Sequence, residues 1–303
     1  MDDPAASAGQ VREAEAPGFG ITLRPQSLMM IFLGIYVLGR NTAVYSGSII
    51  EVMGTVGVSE KAVRSTLSRM VERNLLSKHR VGRKVYYRLT RRATDVLIDG
   101  DRRVWETGAV NRDWDGTWTV VGFSLPDDRR SERHDLRSRL TWAGFGLLQH
   151  AMWIAPGTKD VASIIDSLGL GRNTTVLTAA AAGPTSPIEM AQRAFDIDGI
   201  AWRYRDFLAR WNASRWMESE RTSVMARQLM LHTDWLETIR QDPHLPAELL
   251  PADWPAIEAE QLFKELAGKC EHAAAEMAAR VIDEVDPPSP DGEAPGTNSY
   301  RTS

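Results

Sequence analysis

Cysteine is nearly absent: Cys270 is the single one in 303 residues. A lone thiol excludes an internal disulfide framework and any cysteine-built zinc or iron–sulfur cage, and it fits a reducing compartment, so a cytoplasmic protein is expected. Long apolar runs are missing as well. The longest, Leu28 to Gly39, has 12 residues and stops at Arg40, short of the roughly 20 that cross a bilayer. It reads as a buried helix, and no membrane partner is expected. The amino end carries Asp2, Asp3, Glu13 and Glu15 where a secretory leader would place positive charge, so no export signal is expected. Common enzyme signatures are lacking too: the sequence has no G-x-x-x-x-G-K-[ST] loop, no G-x-G-x-x-G after a strand pattern, no G-x-S-x-G elbow and no H-E-x-x-H. What is present is ordinary for a folded chain, 43% apolar and 25% charged, and long enough for two or three domains.

Charge is the first informative feature. The formal net charge of −4 conceals a basic segment, residues 21–105, with 15 Lys/Arg against 6 Asp/Glu. From residue 106 onward acids prevail, 30 against 20. A basic domain on an acidic body suggests a polyanion partner for that domain alone, because attraction to phosphate is local within a Debye length of about 8–10 Å.

Composition breaks divide the chain further. Residues 1–20, rich in Ala, Gly and acids, lack apolar periodicity and are expected to be a disordered arm. The Pro-, Gly- and Ser-dominated residues 286–303 are expected to be a disordered tail. Breaks at Gly108–Gly116 and Ala179–Pro187 leave three domains, at 21–105, 112–180 and 185–285.

In the first, Pro25 suits a helix start and Gln26 to Leu38 a helix buried on most sides. Ser46 to Met53 is a second short helix, followed by a glycine turn, Gly54 to Val58. Ser59 is a good N-cap for a third, in which Val63, Leu67, Met70 and Val71 share one side and Lys61, Arg64, Ser65, Ser68 and Arg69 the other. The period then changes to that of a hairpin, Leu75 to Arg80 and Arg83 to Leu89 about a Val81-Gly82 turn, and Thr90 caps a helix reaching about Gly100. Three helices and a basic hairpin are the order of a winged helix-turn-helix domain, whose third helix enters the major groove of double-stranded DNA. Arg64 is placed for bidentate donation to guanine, and Ser59, Ser65 and Ser68 are adaptable polar contacts. Lys61, Arg69, Arg80, Arg83 and Lys84 suit phosphates.

In the second domain, Thr117 to Leu125 alternates like a strand, Arg129 to Thr141 like an amphipathic helix, and Leu148 to Ile154 like a second strand. A helix at Asp160–Leu168 and a strand at Thr174–Thr178 would complete a ferredoxin-like unit. The third domain is read as helical, so the fold class is α+β.

The residues Gly57 to Leu76 resemble the recognition region of GntR-like winged-helix repressors, with Ser59, Val63, Arg64 and Leu67 in matching places and Glu60 and Ala62 departing from it. Three separated segments, Gly82–Ala93, Gly116–Pro156 and Arg240–Pro255, together resemble the PaaX family of bacterial repressors of phenylacetate catabolism. The resemblance spans about residues 21–265. It implies a homodimeric repressor with a winged amino-terminal domain, a ferredoxin-like central domain and a helical carboxyl-terminal domain, reading an inverted-repeat operator and released by an aryl-acyl-CoA such as phenylacetyl-CoA. An effector-independent regulator or an activator is compatible with the same residues.

The central segment is also similar to the small endoribonucleases of CRISPR spacer acquisition, whose first strand ends in a triplet with a metal-binding Asp. Here the triplet is Phe123-Ser124-Leu125. Ser124 is neutral, and a hard divalent cation needs carboxylate or carbonyl oxygens. The alternative of a metal-dependent nuclease is therefore disfavoured, although Asp127 and Asp128 lie nearby; the expectation is a dimerisation scaffold, no enzyme, no metal and no cofactor. The 6 histidines are scattered, and Cys270 sits on an apolar helical row with Leu262, Leu266, Ala273, Met277 and Val281. Half of the 10 tryptophans, Trp202, Trp211, Trp216, Trp235 and Trp254, lie in the third domain. An aryl thioester needs an aromatic cleft and cations for its phosphates, which makes Trp202, Arg203, Arg205 and Trp211, with Arg137 and Trp142, the candidate effector site. The prolines and apolar residues of Asp242 to Pro255 suggest a rigid packed corner.

Overall fold

The computed structural model describes residues 14, 15, 22–105, 108–212, 222–240 and 242–286. The arm and the tail expected from composition otherwise lie outside these. Two compact units are built, one on Met1–Arg102, Ser214–Asp234 and Glu265–Ser303, the other on Arg103–Ala213 and Trp235–Lys264.

In the first unit a two-residue pair, β1 (Ala14–Glu15) and β2 (Thr22–Leu23), precedes α1 (Pro25–Tyr36). Pro25 stands in the first turn, where a helix has no use for its missing N–H, and Leu28, Met29, Phe32, Leu33 and Tyr36 are buried. β3 (Ala43–Tyr45) leads directly into α2 (Ser46–Thr55). Gly57 then turns the chain at φ +82°, a left-handed conformation that glycine adopts without strain. α3 (Glu60–Glu72) begins at Ser59, whose side chain accepts from the Ala62 N–H, and buries Val63, Thr66, Leu67 and Met70. β4 (Leu76–Val81) and β5 (Lys84–Leu89) form the expected hairpin, with the turn at Gly82-Arg83, one residue later than the expected Val81-Gly82. Thr90 Oγ1 accepts from the Ala93 N–H at 3.3 Å and opens α4 (Arg91–Trp105), which runs past the expected end at Gly100.

In the second unit β6 (Thr117–Phe123), α5 (Arg130–Trp142), β7 (Gly146–Gln149), β8 (Met152–Pro156), α6 (Ala162–Ser167) and β9 (Thr174–Ala180) follow in order. The strands form one antiparallel sheet, β7-β8-β6-β9. Val121, Phe123, Leu136, Leu140, Trp153 and Ile165 belong to its core. The single strand expected over Leu148–Ile154 is instead a hairpin. His150, at φ +39°, and Ala151 reverse the chain so that Leu147 pairs with Trp153 and Gln149 with Met152. No Gly, Pro, Asn or Asp marks this turn; histidine is one of the few other residues that tolerate positive φ. Gly146 is required where β7 passes the end of the helix that finishes at Ala194, since a Cβ there would lie 2.4 Å from the Ala194 carbonyl oxygen.

The remaining elements are α7 (Pro187–Ala194), α8 (Ile197–Trp211), α9 (Val224–Arg240), α10 (Ala256–Val281) and β10 (Glu284–Val285). In the second unit the Trp235 ring stacks on Phe263 at 4.9 Å and 10°, with Phe207 at 5.2 Å. The proline-rich corner is packed: Leu245, Leu249 and Trp254 are buried, and the Asp242 carboxylate accepts from the Tyr204 hydroxyl at 2.6 Å and the His244 N–H at 2.7 Å. In the first unit α10 buries Cys270 beside Leu266, with Ala274 rather than the expected Ala273 continuing the row. Burial pushes the Cys270 thiol pKa up, the opposite of what a nucleophile needs. The other sheet of the first unit has the order β10-β3-β5-β4, so its outer strand comes from the far end of the chain. The whole is a mixed α+β architecture. Among the described residues no helix is long and apolar enough to cross a membrane.

Candidate nucleic-acid interface

The exposed side of α3 follows from its buried side. With Val63, Thr66, Leu67 and Met70 inward, the helical period of 3.6 turns Lys61, Arg64, Ser65 and Ser68 outward, and all four are exposed. Arg69 is different. It is half-buried and donates from its guanidinium to Thr66 Oγ1 at 3.3 Å, so it is anchored to the helix. Ser59 is exposed, and its side-chain oxygen accepts from the Ala62 N–H at 3.3 Å.

Arg64 has a partner of its own. Its Nε and a terminal nitrogen both lie 2.8 Å from Glu60 Oε1, one turn earlier, with the two side chains 63% and 61% exposed. An exposed i,i+4 pair is worth only a few tenths of a kcal/mol, so Glu60 steadies Arg64 on the exposed side of α3 without locking it. Ser68 donates to Glu72 at 3.2 Å in the same manner.

The hairpin distributes its cations over two faces. Paired residues of an antiparallel ladder share a face, so the register Lys78↔Tyr87 and Arg80↔Val85 puts Lys78 and Arg80 on one side, and Val81↔Lys84 and His79↔Tyr86 put Lys84 on the other. Arg83 occupies the exposed tip, after Gly82 at φ +59°. Burial raises the Tyr87 phenol pKa, and the Arg64 guanidinium opposes that rise. Sequence reading missed Lys78 and Tyr87. The signal was the two-residue alternation from Arg80 back to Lys78. Lys84 is engaged by Asp283, Nζ to Oδ2 2.7 Å, which raises its pKa through the hydrogen bond and the carboxylate charge.

Of the six residues considered for an effector, the two tryptophans of α8 are separated by the helix itself. On α8, Trp202 and Trp211 lie on opposite sides, one 64% exposed and the other 1%. Arg137, Arg205 and Trp142 are exposed, Arg203 is half-buried, and the Arg240 guanidinium lies over one face of Trp142, 4.3 Å from its ring centroid. A cavity of about 490 Å³ in the same unit is lined instead by Ile188, Gln192, Phe195, Asp196, Ile197 and Asp198 with Leu249 to Pro251. Two carboxylates in that lining oppose the phosphates of a thioester of CoA. At the end of β6, the Ser124 N–H donates to the Asn173 carbonyl at 3.0 Å and its carbonyl accepts from Asn173 Nδ2 at 3.3 Å, so the triplet is closed by an amide side chain. Among the described residues no three His, Cys, Asp or Glu side chains cluster as metal ligands would.

Comparison with known proteins gives one consistent result. A family model described as PaaX-like protein matches residues 24–93, one described as the PaaX protein central Cas2-like domain matches 111–191, and one described as the PaaX-like protein C-terminal domain matches 195–280. The transcriptional repressor PaaX of Escherichia coli (strain K12) is 24% identical over 247 residues, which are 78% of this chain and 77% of that one. Among solved structures, an uncharacterized protein from Mycobacterium tuberculosis has a TM-score of 0.58 at 22% identity, covering 83% of this chain and 98% of its own, a likeness of fold. Since three PaaX models match in order along the chain, from the amino-terminal segment that carries α3 and the basic hairpin to the end of α10, the protein belongs to the PaaX family.

Proposed function

We propose that the protein is a cytoplasmic, dimeric transcriptional repressor that reads an inverted-repeat operator in double-stranded DNA. The observation that carries this reading is the exposed ridge Lys61, Arg64, Ser65 and Ser68 of α3, followed by a hairpin with exposed Lys78 and Arg80 on one face. In this reading α2, the Gly57 turn and α3 form a helix-turn-helix and the β4–β5 hairpin its wing. Arg64 donates to guanine N7 and O6, Ser65 and Ser68 adjust to neighbouring base edges, and Ser59, Lys61, Arg69, Arg80, Arg83 and Lys84 meet the backbone. The β6–β9 unit has the strand and helix order of a ferredoxin-like domain, and we assign it to dimerisation rather than to nuclease chemistry.

Release is proposed to follow binding of an aryl-acyl-CoA such as phenylacetyl-CoA to the acidic body. A few kcal/mol of differential affinity between two arrangements of the dimer is enough to change the separation of the recognition helices. Fluorescence anisotropy of the full chain on the intergenic DNA beside its own gene, with excess random competitor, tests both parts. Competitor-resistant binding that is lost on adding phenylacetyl-CoA is expected. Specific binding indifferent to the thioester rejects this effector, and no specific binding rejects the repressor. In the same assay Lys84→Ala is expected to weaken operator and random DNA alike and to flatten the slope of log affinity against log salt by about one.

A further inference from the structure

The strand β10 delivers carboxyl-terminal acids to the sheet that carries the basic hairpin. It pairs antiparallel with β3, Glu284 opposite Val44 and Val285 opposite Ala43. The backbone just before it is fastened twice. Tyr45 N–H donates to the Asp283 carbonyl at 2.8 Å, and the buried Ser48 hydroxyl donates to the Val281 carbonyl at 2.8 Å and accepts from the Asp283 N–H at 3.0 Å.

So held, the Asp283 carboxylate meets Lys84 Nζ at 2.7 Å, with the Tyr86 hydroxyl 3.4 Å from each of its oxygens. Lys84 also lies 4.8 Å from the centre of the Tyr45 ring, so the ammonium is held from two sides. The next residue, Glu284, stands 3.6 Å from Arg40. Both cations belong to the basic segment 21–105 and both acids to the acidic remainder. A carboxylate in contact with an ammonium cancels most of its field at the distances from which phosphates are attracted.

We propose that β10 is a built-in competitor of DNA phosphate: Asp283 and Glu284 occupy Lys84 on the wing and Arg40 ahead of β3, and thereby lower the affinity of the basic segment for any duplex backbone. This rests on the DNA-binding reading above. When the wing meets DNA, Lys84 exchanges Asp283 for a phosphate oxygen; the exchange is independent of base sequence, so it restrains non-specific capture without altering what α3 reads.

The test is anisotropy of the full chain on a random duplex over a range of salt. Asp283→Asn keeps the size of the side chain and an acceptor for Lys84 but removes the charge. It is expected to bind roughly 2- to 5-fold tighter at low salt, with an unchanged ratio of operator to random affinity. Glu284→Gln, which removes the carboxylate charge beside Arg40, is expected to act in the same direction. The gain from Asp283→Asn should disappear when Lys84→Ala is already present. Unchanged or weaker binding by both variants, while the parent chain still binds duplex, overturns the competitor role and leaves β10 a support for the hairpin. A parent chain that binds no duplex at low salt overturns the DNA-binding reading itself.

Discussion

Lowering the pH from 6.5 to 4 is expected to remove about 3 kcal/mol of stability from the first unit through one residue, His232. This side chain of α9 is buried, and desolvation pushes its pKa from 6.5 down to about 4. The folded protein therefore holds His232 neutral where the unfolded chain would protonate it. Below pH 6.5 the unfolded state binds the extra proton, so stability is fully present above 6.5 and declines as pH falls towards 4, where the folded state also begins to protonate. Thermal midpoints across this range measure the effect. His232→Leu should lower the slope of stability against pH in that window, whatever it does to stability at pH 7. A slope that is the same in the variant would assign the acid sensitivity to other groups.

Arg64→Ala is expected to cost about 1–3 kcal/mol of binding to the operator and almost nothing on random DNA, because a bidentate base contact exists only at the correct base. The structure adds a refinement. Arg64 must leave Glu60, with which it pairs at 2.8 Å, before it can donate to guanine, so part of the gross contact energy is offset by the lost pair. The pair is exposed, so that offset is small. Competition anisotropy on operator and random duplexes gives the ratio directly. If Arg64→Ala left that ratio unchanged, α3 would not be the reading element, and the Lys78–Arg80 face of the hairpin would be the next candidate.

The contrast between Arg64 and Lys84 shows what kind of information each level holds. Both are exposed cations in a basic segment, and local pattern suffices to find them. On α3 the 3.6-residue period and the Ser59 cap identify the outward side without any tertiary knowledge, and of the face so deduced only Arg69 turns out to be partly buried. The Gly82 turn likewise announces the hairpin, since a two-residue loop needs a glycine at positive φ. The β7–β8 reversal at His150 was not legible, because its residues carry no turn chemistry and the reversal is imposed by pairing with β6.

The effector residues illustrate the same boundary. Tryptophans and arginines in one stretch of sequence suggest a cleft, yet the turn of α8 sends Trp202 outward and Trp211 into the core. A helix separates neighbours in sequence by angle, and composition does not report angle.

The sequence by itself determined the α+β class, the basic segment with its outward-facing third helix, the hairpin beside it, and the resemblance to the PaaX family. These rest on short-range periods, caps and turn residues, or on ordered motifs, all of which are written locally. Only the tertiary structure decided that the ladder register turns Lys84 away from Lys78 and Arg80, and that Asp283, 199 residues distant, is its partner. Ladder register and the return of a distant strand depend on which surfaces are buried together, and contacts between residues that far apart leave no period in the sequence.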